Sequence, residues 1–156
     1  MRITVHCVGR TREAFLQEGI RKYLRYLMPY TPVELREVRE EKIEDLKDAP
    51  RVRQREAERI FRSLSPDAYL IALDERGTEF TSHEFAVFLN ASMEKGVREM
   101  AFVIGGAMGL DESVTGRART TLAISRWTLT HEMARVVLLE QLYRAFTIIK
   151  GKTYHY

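Results

Sequence analysis

The chain has 156 residues, a formal net charge of +3, 45% hydrophobic and 30% charged side chains, the make-up of one soluble globular domain long enough to bury its own core. No apolar run approaches the ~20 residues of a membrane span, and the opening MRITVHCVGR lacks the apolar stretch and small-residue cleavage site of an export signal, so a cytoplasmic protein is expected. Cys7 is the only cysteine, which excludes an internal disulfide and marks it as a small core residue.

In chain order, Ile3 to Val8 reads as a strand with Ile3, Val5 and Cys7 on one face. Thr11 is placed to cap a helix in which Phe15, Leu16, Ile20, Tyr23, Leu24 and Leu27 recur at helical spacing, ended by Pro29 and Pro32. Val33 to Val38 is a second strand, and the charged stretch from Arg39 to Asp48 is a loop. Pro50 suits the first turn of a helix carrying Val52, Ala57, Ile60, Phe61 and Leu64. Ala68 to Gly77 is a short apolar strand ending in a turn. Ser82 is expected to cap a helix that Gly96 stops. Met100 to Ile104 is a buried strand, Asp111 opens a short helix, and Thr121 to Ser125 is the last strand. A long helix then runs from about Thr130 to Ile149, with Gly151 past its end. Strands alternate with helices about five times, which predicts an α/β domain spanning 1–156, its sheet mainly parallel and covered by helices on both faces.

The cations are unevenly chosen: 19 Arg against 6 Lys. Arginine presents a planar fork that suits phosphate and stacks on bases, so a phosphate-rich partner and a compositional bias of the source genome both account for the excess. The row Arg51, Arg53, Arg55, Arg59 and Arg62 reads as a solvated helix face or a nucleic-acid contact.

Ligands of parallel α/β sheets bind outside the carboxyl ends of the strands. Three such ends stand out: Leu73-Asp74, Gly105-Gly106 and Ser125. Glycines at 105 and 106 let something approach the main chain closely, a flat cofactor or a tight turn of the chain itself. Familiar fingerprints are absent. Gly105, Gly106 and Gly109 do not make G-x-G-x-x-G, no P-loop or G-x-S-x-G elbow occurs, and one Cys with four scattered His builds no zinc motif, so no metal is expected.

Between Met133 and Leu139 only Arg135 is charged, and Leu142, Tyr143, Phe146 and Ile149 extend the apolar surface. A helix apolar on most sides is buried on most sides, by a partner subunit or as the central helix of a monomer. Glu140 and Arg144 are spaced to pair, and Glu132 suits the positive end of the helix dipole. Polar candidates gather toward the C-terminus: Ser125, Arg126, Trp127, Thr128, His131, Arg135, Arg144, Tyr154 and His155. Trp127, the only Trp, is also a candidate for the core.

The segments FVIGGAMGL and LAISRWTLTHEMARVVLLEQLYRAFTIIKG and the closing YH, together with ITVHCVGR and LDERGTEFTSHEFA, resemble the RlmH family of small SPOUT-class methyltransferases. That resemblance spans nearly the whole chain. It implies an α/β knot fold with a trefoil knot in the C-terminal third, a homodimer, S-adenosylmethionine as cofactor, and N3 of a pseudouridine in the helix 69 loop of 23S ribosomal RNA as the target. It implies cofactor contacts from Leu73, Gly105, neighbouring Gly106 and the segment Ile124, Ser125, Arg126, Trp127, Thr128 and Leu129. A proton must leave the target nitrogen, which makes His155 or His131 the expected base. Tyr154 is expected to stack on the target base, and Arg135 and Arg144 to hold RNA phosphate or charge developing on the base. A non-catalytic dimeric RNA- or ribosome-binding module, and a knotted methyltransferase acting on another RNA such as tRNA, are the alternatives.

Overall fold

Along the first strand both alternating sets of side chains are buried, Ile3, Val5 and Cys7 on one face and Thr4, His6 and Val8 on the other. A strand buried on both faces belongs inside a layered sheet. The computed structural model describes residues 1–152. Its elements are β1 (Arg2–Val8), α1 (Ala14–Leu27), β2 (Val33–Val38), a single 3₁₀ turn (Leu46–Asp48), α2 (Ala49–Ser63), β3 (Tyr69–Glu79), α3 (Ser82–Glu94), β4 (Glu99–Ile104), α4 (Glu112–Arg117), β5 (Thr120–Ala123) and α5 (His131–Ile149). The five strands form one sheet in the order β2-β1-β4-β3-β5, every pairing parallel. The alternation expected from sequence is met, with all strand C-termini at one edge.

Two apolar layers clamp the sheet. One joins Ile3, Val5, Ile71, Phe102 and Leu122 to residues of α1, α3 and α5 such as Ile20, Phe85, Leu89 and Leu138. The other joins Val8, Leu70, Ala101 and Val103 to Ala57 and Ile60 of α2 and Val114 of α4. The central strand β4 is buried along its whole length. At the amino edge a polar chain crosses under α2. The buried ring of His6 hydrogen-bonds Ser63 Oγ through Nδ1 at 2.8 Å and Thr4 Oγ1 through Nε2 at 3.2 Å, and Thr4 donates to Glu99 at 3.3 Å. Burial, and then the charge of Arg36, push the His6 pKa down to about 4.

Two expected caps are corrected. The first helix starts after Glu13, not Thr11; Thr11 is buried and takes a hydrogen bond from Arg135 instead. The third helix is capped by Thr81, not Ser82, because Thr81 and Glu84 form a reciprocal capping box. Apolar α5 lies against α1, α3 and the sheet, so much of its surface is covered within one chain.

β3 departs from a simple strand. Leu122 of β5 pairs with both Leu73 and Thr78, so the chain between them arches away and returns. On the return Gly77 passes so close to β5 that a Cβ there would stand 2.6 Å from the Thr121 carbonyl oxygen. Only glycine permits that crossing.

Candidate functional site

A cleft of about 1000 Å³ opens at the carboxyl ends of β3, β4 and β5. Its apolar lining includes the buried side chains of Ile104, Leu110 and Leu122, with Leu73, Ile124 and Leu129 beside them. These ends meet there because parallel strands all finish on the same edge. Of the residues implied as cofactor contacts, Leu73, Gly105, Gly106, Ile124, Ser125, Trp127, Thr128 and Leu129 line this one cleft. Arg126 lies in the same loop but is not part of the lining.

The glycine turn is shaped by the protein itself. A Cβ on Gly105 would stand 2.7 Å from the carbonyl carbon of Gly109, and one on Gly106 would stand 3.0 Å from both Glu56 Oε2 and Val8 Cγ1. The Gly109 N–H donates to Gly106 O at 3.0 Å, and Gly109 takes φ +77°, which closes the turn. Behind it the buried Glu56 accepts the Glu41 N–H through Oε1, while Oε2 has no hydrogen-bond partner; burial raises its pKa. The main chain from Gly105 to Gly109, with the side chains of Ala107 and Met108, therefore forms one wall of the cleft.

The facing loop between β5 and α5 is held by polar contacts. Ser125 Oγ accepts the Trp127 N–H at 2.9 Å, Arg126 Nε donates to Glu79 at 2.8 Å, and Thr128 Oγ1 donates to Glu75 at 2.8 Å. Thr130 then caps α5 by accepting the Met133 N–H. The expectation of Trp127 as a core residue is corrected, because 82% of it is exposed.

His131, the first residue of α5, lines the cleft, and its pKa is lowered, first by burial and then by the charge of Arg135. Glu132 serves a second helix besides its own, accepting the Arg12 N–H at 2.8 Å and the Glu13 N–H at 3.3 Å where α1 begins. Burial pushes the Glu132 carboxyl up, but these backbone bonds outweigh it and hold the pKa below its ordinary value.

Arg135 is corrected. Its side chain is completely buried, donating to Thr11 Oγ1 at 2.8 Å and to the Val8 carbonyl at 2.7 Å, with Nε unpaired. It ties α5 to the end of β1 and does not present a cation to an RNA phosphate. Arg144 is half-buried and ion-paired with Glu140, the pairing expected from their spacing, and it does not line the cleft. Tyr154 and His155 lie outside the described residues.

The sequence marks Asp74 only as part of a strand end and does not single out Glu75 or Arg76. Arg76 clasps Asp74 through Nε and Nη2 at 2.9 and 3.0 Å, and this pairing holds the Asp74 carboxyl below its usual range. The cleft brings the carboxylates of Glu13, Asp74, Glu75, Glu112 and Glu132 together with only two guanidiniums, those of Arg53 and Arg76. The described residues include no cluster able to hold a metal ion.

A fully parallel sheet with a ligand-sized cleft at its carboxyl edge is an α/β architecture for holding a small molecule. Residues 1–155 match the family described as "Predicted SPOUT methyltransferase". The chain is 46% identical over 156 residues to the ribosomal RNA large subunit methyltransferase H of Geotalea uraniireducens (strain Rf4), covering 100% of both chains. It is 44% identical over 160 residues to the protein of the same name from Symbiobacterium thermophilum, covering 99% of each. Among solved structures it resembles a probable methylase family protein from Haemophilus influenzae Rd KW20, with a TM-score of 0.55 and 18% identity over 99% of this chain and 70% of that one. A probable methyltransferase from Bordetella pertussis Tohama I gives 0.57 and 14%, covering 93% of this chain and 96% of that one. At such identities the structural likeness is one of fold. The chain belongs to the SPOUT methyltransferase family, in the branch of these large-subunit ribosomal RNA methyltransferases.

Proposed function

We propose that this chain is an S-adenosylmethionine-dependent methyltransferase of 23S ribosomal RNA that acts on N3 of a pseudouridine in the helix 69 loop, on the assembled ribosome. The observation that carries the reading is the convergence of Leu73, Gly105, Gly106 and the 124–129 loop on one cleft, in a chain 46% identical end to end to a ribosomal RNA methyltransferase. The fit to the cofactor is chemical. Apolar side chains suit a flat purine, and five carboxylates against two guanidiniums favour a ligand bearing a positive sulfonium. When bound, that cofactor supplies an electrophilic methyl group.

The residues do the rest. The Gly105–Gly109 turn and the loop held at Ser125, Arg126 and Thr128 orient donor and acceptor, and alignment of this kind can contribute ~7–11 kcal/mol to a displacement. The acceptor nitrogen must lose a proton. His131 stands at the cleft with its ring biased to the neutral, proton-accepting form. His155 is the other candidate base. Tyr154 remains the candidate to stack on the target base.

Two structural elements belong to the same proposal. A trefoil knot in the C-terminal third is the arrangement that the SPOUT resemblance implies. A homodimer is supported by the apolar surface that α1 and α5 leave uncovered, with Phe15 63% and Met28 75% exposed and Met133, Val136 and Val137 half-buried.

The test is calorimetry with S-adenosylmethionine, with and without large subunits, followed by mass spectrometry of the nucleosides from treated ribosomes. Saturable binding and one new methyl on pseudouridine support the proposal. Absence of cofactor binding under both conditions sinks the enzymatic reading, and a methyl on transfer RNA alone sinks the ribosomal one.

A further inference from the structure

Helix α2 carries five arginines against two carboxylates, and one of those carboxylates, Glu56, is buried. Arg51, Arg55 and Arg59 follow one another at four-residue spacing, which sets them in a stripe about 12 Å long on one face. A single carboxylate serves all three. Glu41, in the loop before α2, accepts from Arg55 at 3.0 Å, pairs with Arg59, and lies 3.8 Å from Arg51, whose other guanidinium nitrogen meets Asp48 at 3.2 Å. Arg59, and then Arg55, hold the Glu41 carboxyl below its usual range. The loop does not depend on this clasp, because its backbone is tied down separately. Arg59 donates to the Arg39 carbonyl at 2.9 Å, and the Glu41 N–H donates to Glu56 at 3.0 Å. The Glu41 carboxylate can therefore leave its three partners while the loop stays on α2.

We propose that the stripe of Arg51, Arg55 and Arg59 is a docking site for the phosphate backbone of ribosomal RNA, with Glu41 as the counter-ion that the phosphates displace. The proposal rests on the reading above, and the structure favours RNA as the occupant in three ways. The cleft sets five carboxylates against two guanidiniums, so the phosphates around a target nucleotide need cations outside it. Arg135, which the sequence offers for that task, is enclosed in the core. The α2 stripe adjoins the cleft, because Arg53 on the same helix lines it. The stripe is also open to a second anion, with Arg51 43% and Arg55 53% exposed. A guanidinium fork takes the oxygens of a phosphate as it takes those of a carboxylate, and such contacts position an RNA without reading its sequence.

The test is ribosome binding at several salt concentrations, with a melting temperature for each variant. In the double variant Arg51→Gln/Arg55→Gln the slope of log Kd against log salt is expected to fall by about 1.4–1.8, the loss of two phosphate contacts, with S-adenosylhomocysteine bound as by the native chain. Arg51→Lys/Arg55→Lys keeps the charges and should keep most of the slope. Glu41→Gln releases the guanidiniums and is expected to tighten ribosome binding by up to about 5-fold, which a clasp serving only the fold would not do. A photo-crosslinker in place of the exposed Gln54 should attach to RNA. Native Kd and slope in the double glutamine variant would overturn the proposal. So would weaker binding by Glu41→Gln at an unchanged melting temperature, or crosslinks to ribosomal protein alone. A native chain that neither binds nor methylates ribosomes strikes the parent reading, whereas one that methylates them while the double glutamine variant binds as tightly strikes only this one.

Discussion

Arg135 gives the sharpest test of how this molecule is built. The sequence places it among candidates for RNA contact, yet the folded chain encloses it and gives its guanidinium two acceptors, Thr11 Oγ1 at 2.8 Å and the Val8 carbonyl at 2.7 Å. Substituting Arg135→Met keeps an unbranched apolar stem and removes both bonds. Each orphaned acceptor costs about 1–3 kcal/mol, partly offset because the unpaired Nε is no longer buried. The net loss is about 2–4 kcal/mol, which for a chain of this size lowers Tm by roughly 4–15 °C. Circular dichroism melts of Arg135→Met, Arg135→Lys and Thr11→Val provide the assay. Lysine keeps the charge and can reach one acceptor, so Arg135→Lys should fall between the native chain and Arg135→Met. In the Arg135→Met and Thr11→Val cycle a coupling of about 1 kcal/mol is expected between the partners. A native Tm for Arg135→Met, with weakened ribosome binding, would refute the buried role and restore the phosphate contact.

Three further outcomes follow from the same physical picture. Gly77→Ala puts a Cβ 2.6 Å from the Thr121 carbonyl, whereas Gly96→Ala meets nothing within 4 Å and pays only for its φ of +78°. The first should cost well over the ~1 kcal/mol expected of the second, and equal melting temperatures would show that β3 does not cross β5 this closely. His6 is neutral in the fold down to about pH 4 but gains its proton near 6.5 when unfolded, so its contribution is complete above pH 6.5 and is lost as pH falls toward 4. The interval is worth about 3 kcal/mol, and urea melts at pH 7 and 4.5 should show a steep acid loss that His6→Gln flattens. If His131 is the base, kcat should rise with pH through an inflection below 6.5 that vanishes in His131→Gln; an unchanged profile assigns the proton to another group.

The elements were legible because their signals are local. Pro50 in the first turn of α2, Gly96 with positive φ after α3, Asp111 capping α4 and the alternation of strands with helices all act within a few residues. The caps at Thr11 and Ser82 were misplaced by the same locality. Thr11 answers to Arg135, 124 residues away, and the serine beside Thr81 has no claim on a capping box whose carboxylate stands three residues beyond the threonine. The site was half legible. Gly105 and Gly106 announce a close approach, but a missing Cβ does not say what fills its place. Here it is the chain's own turn at Gly109 on one residue, and Glu56 with Val8 on the next. The glycines thus act at one remove, by letting the wall fold back on itself. The acidic lining was illegible for a related reason: Glu13, Asp74, Glu112 and Glu132 belong to four separate parts of the chain and share a field only once the strand ends are brought to one edge. That shared field makes the cleft a poor place for phosphate and a good one for a cation.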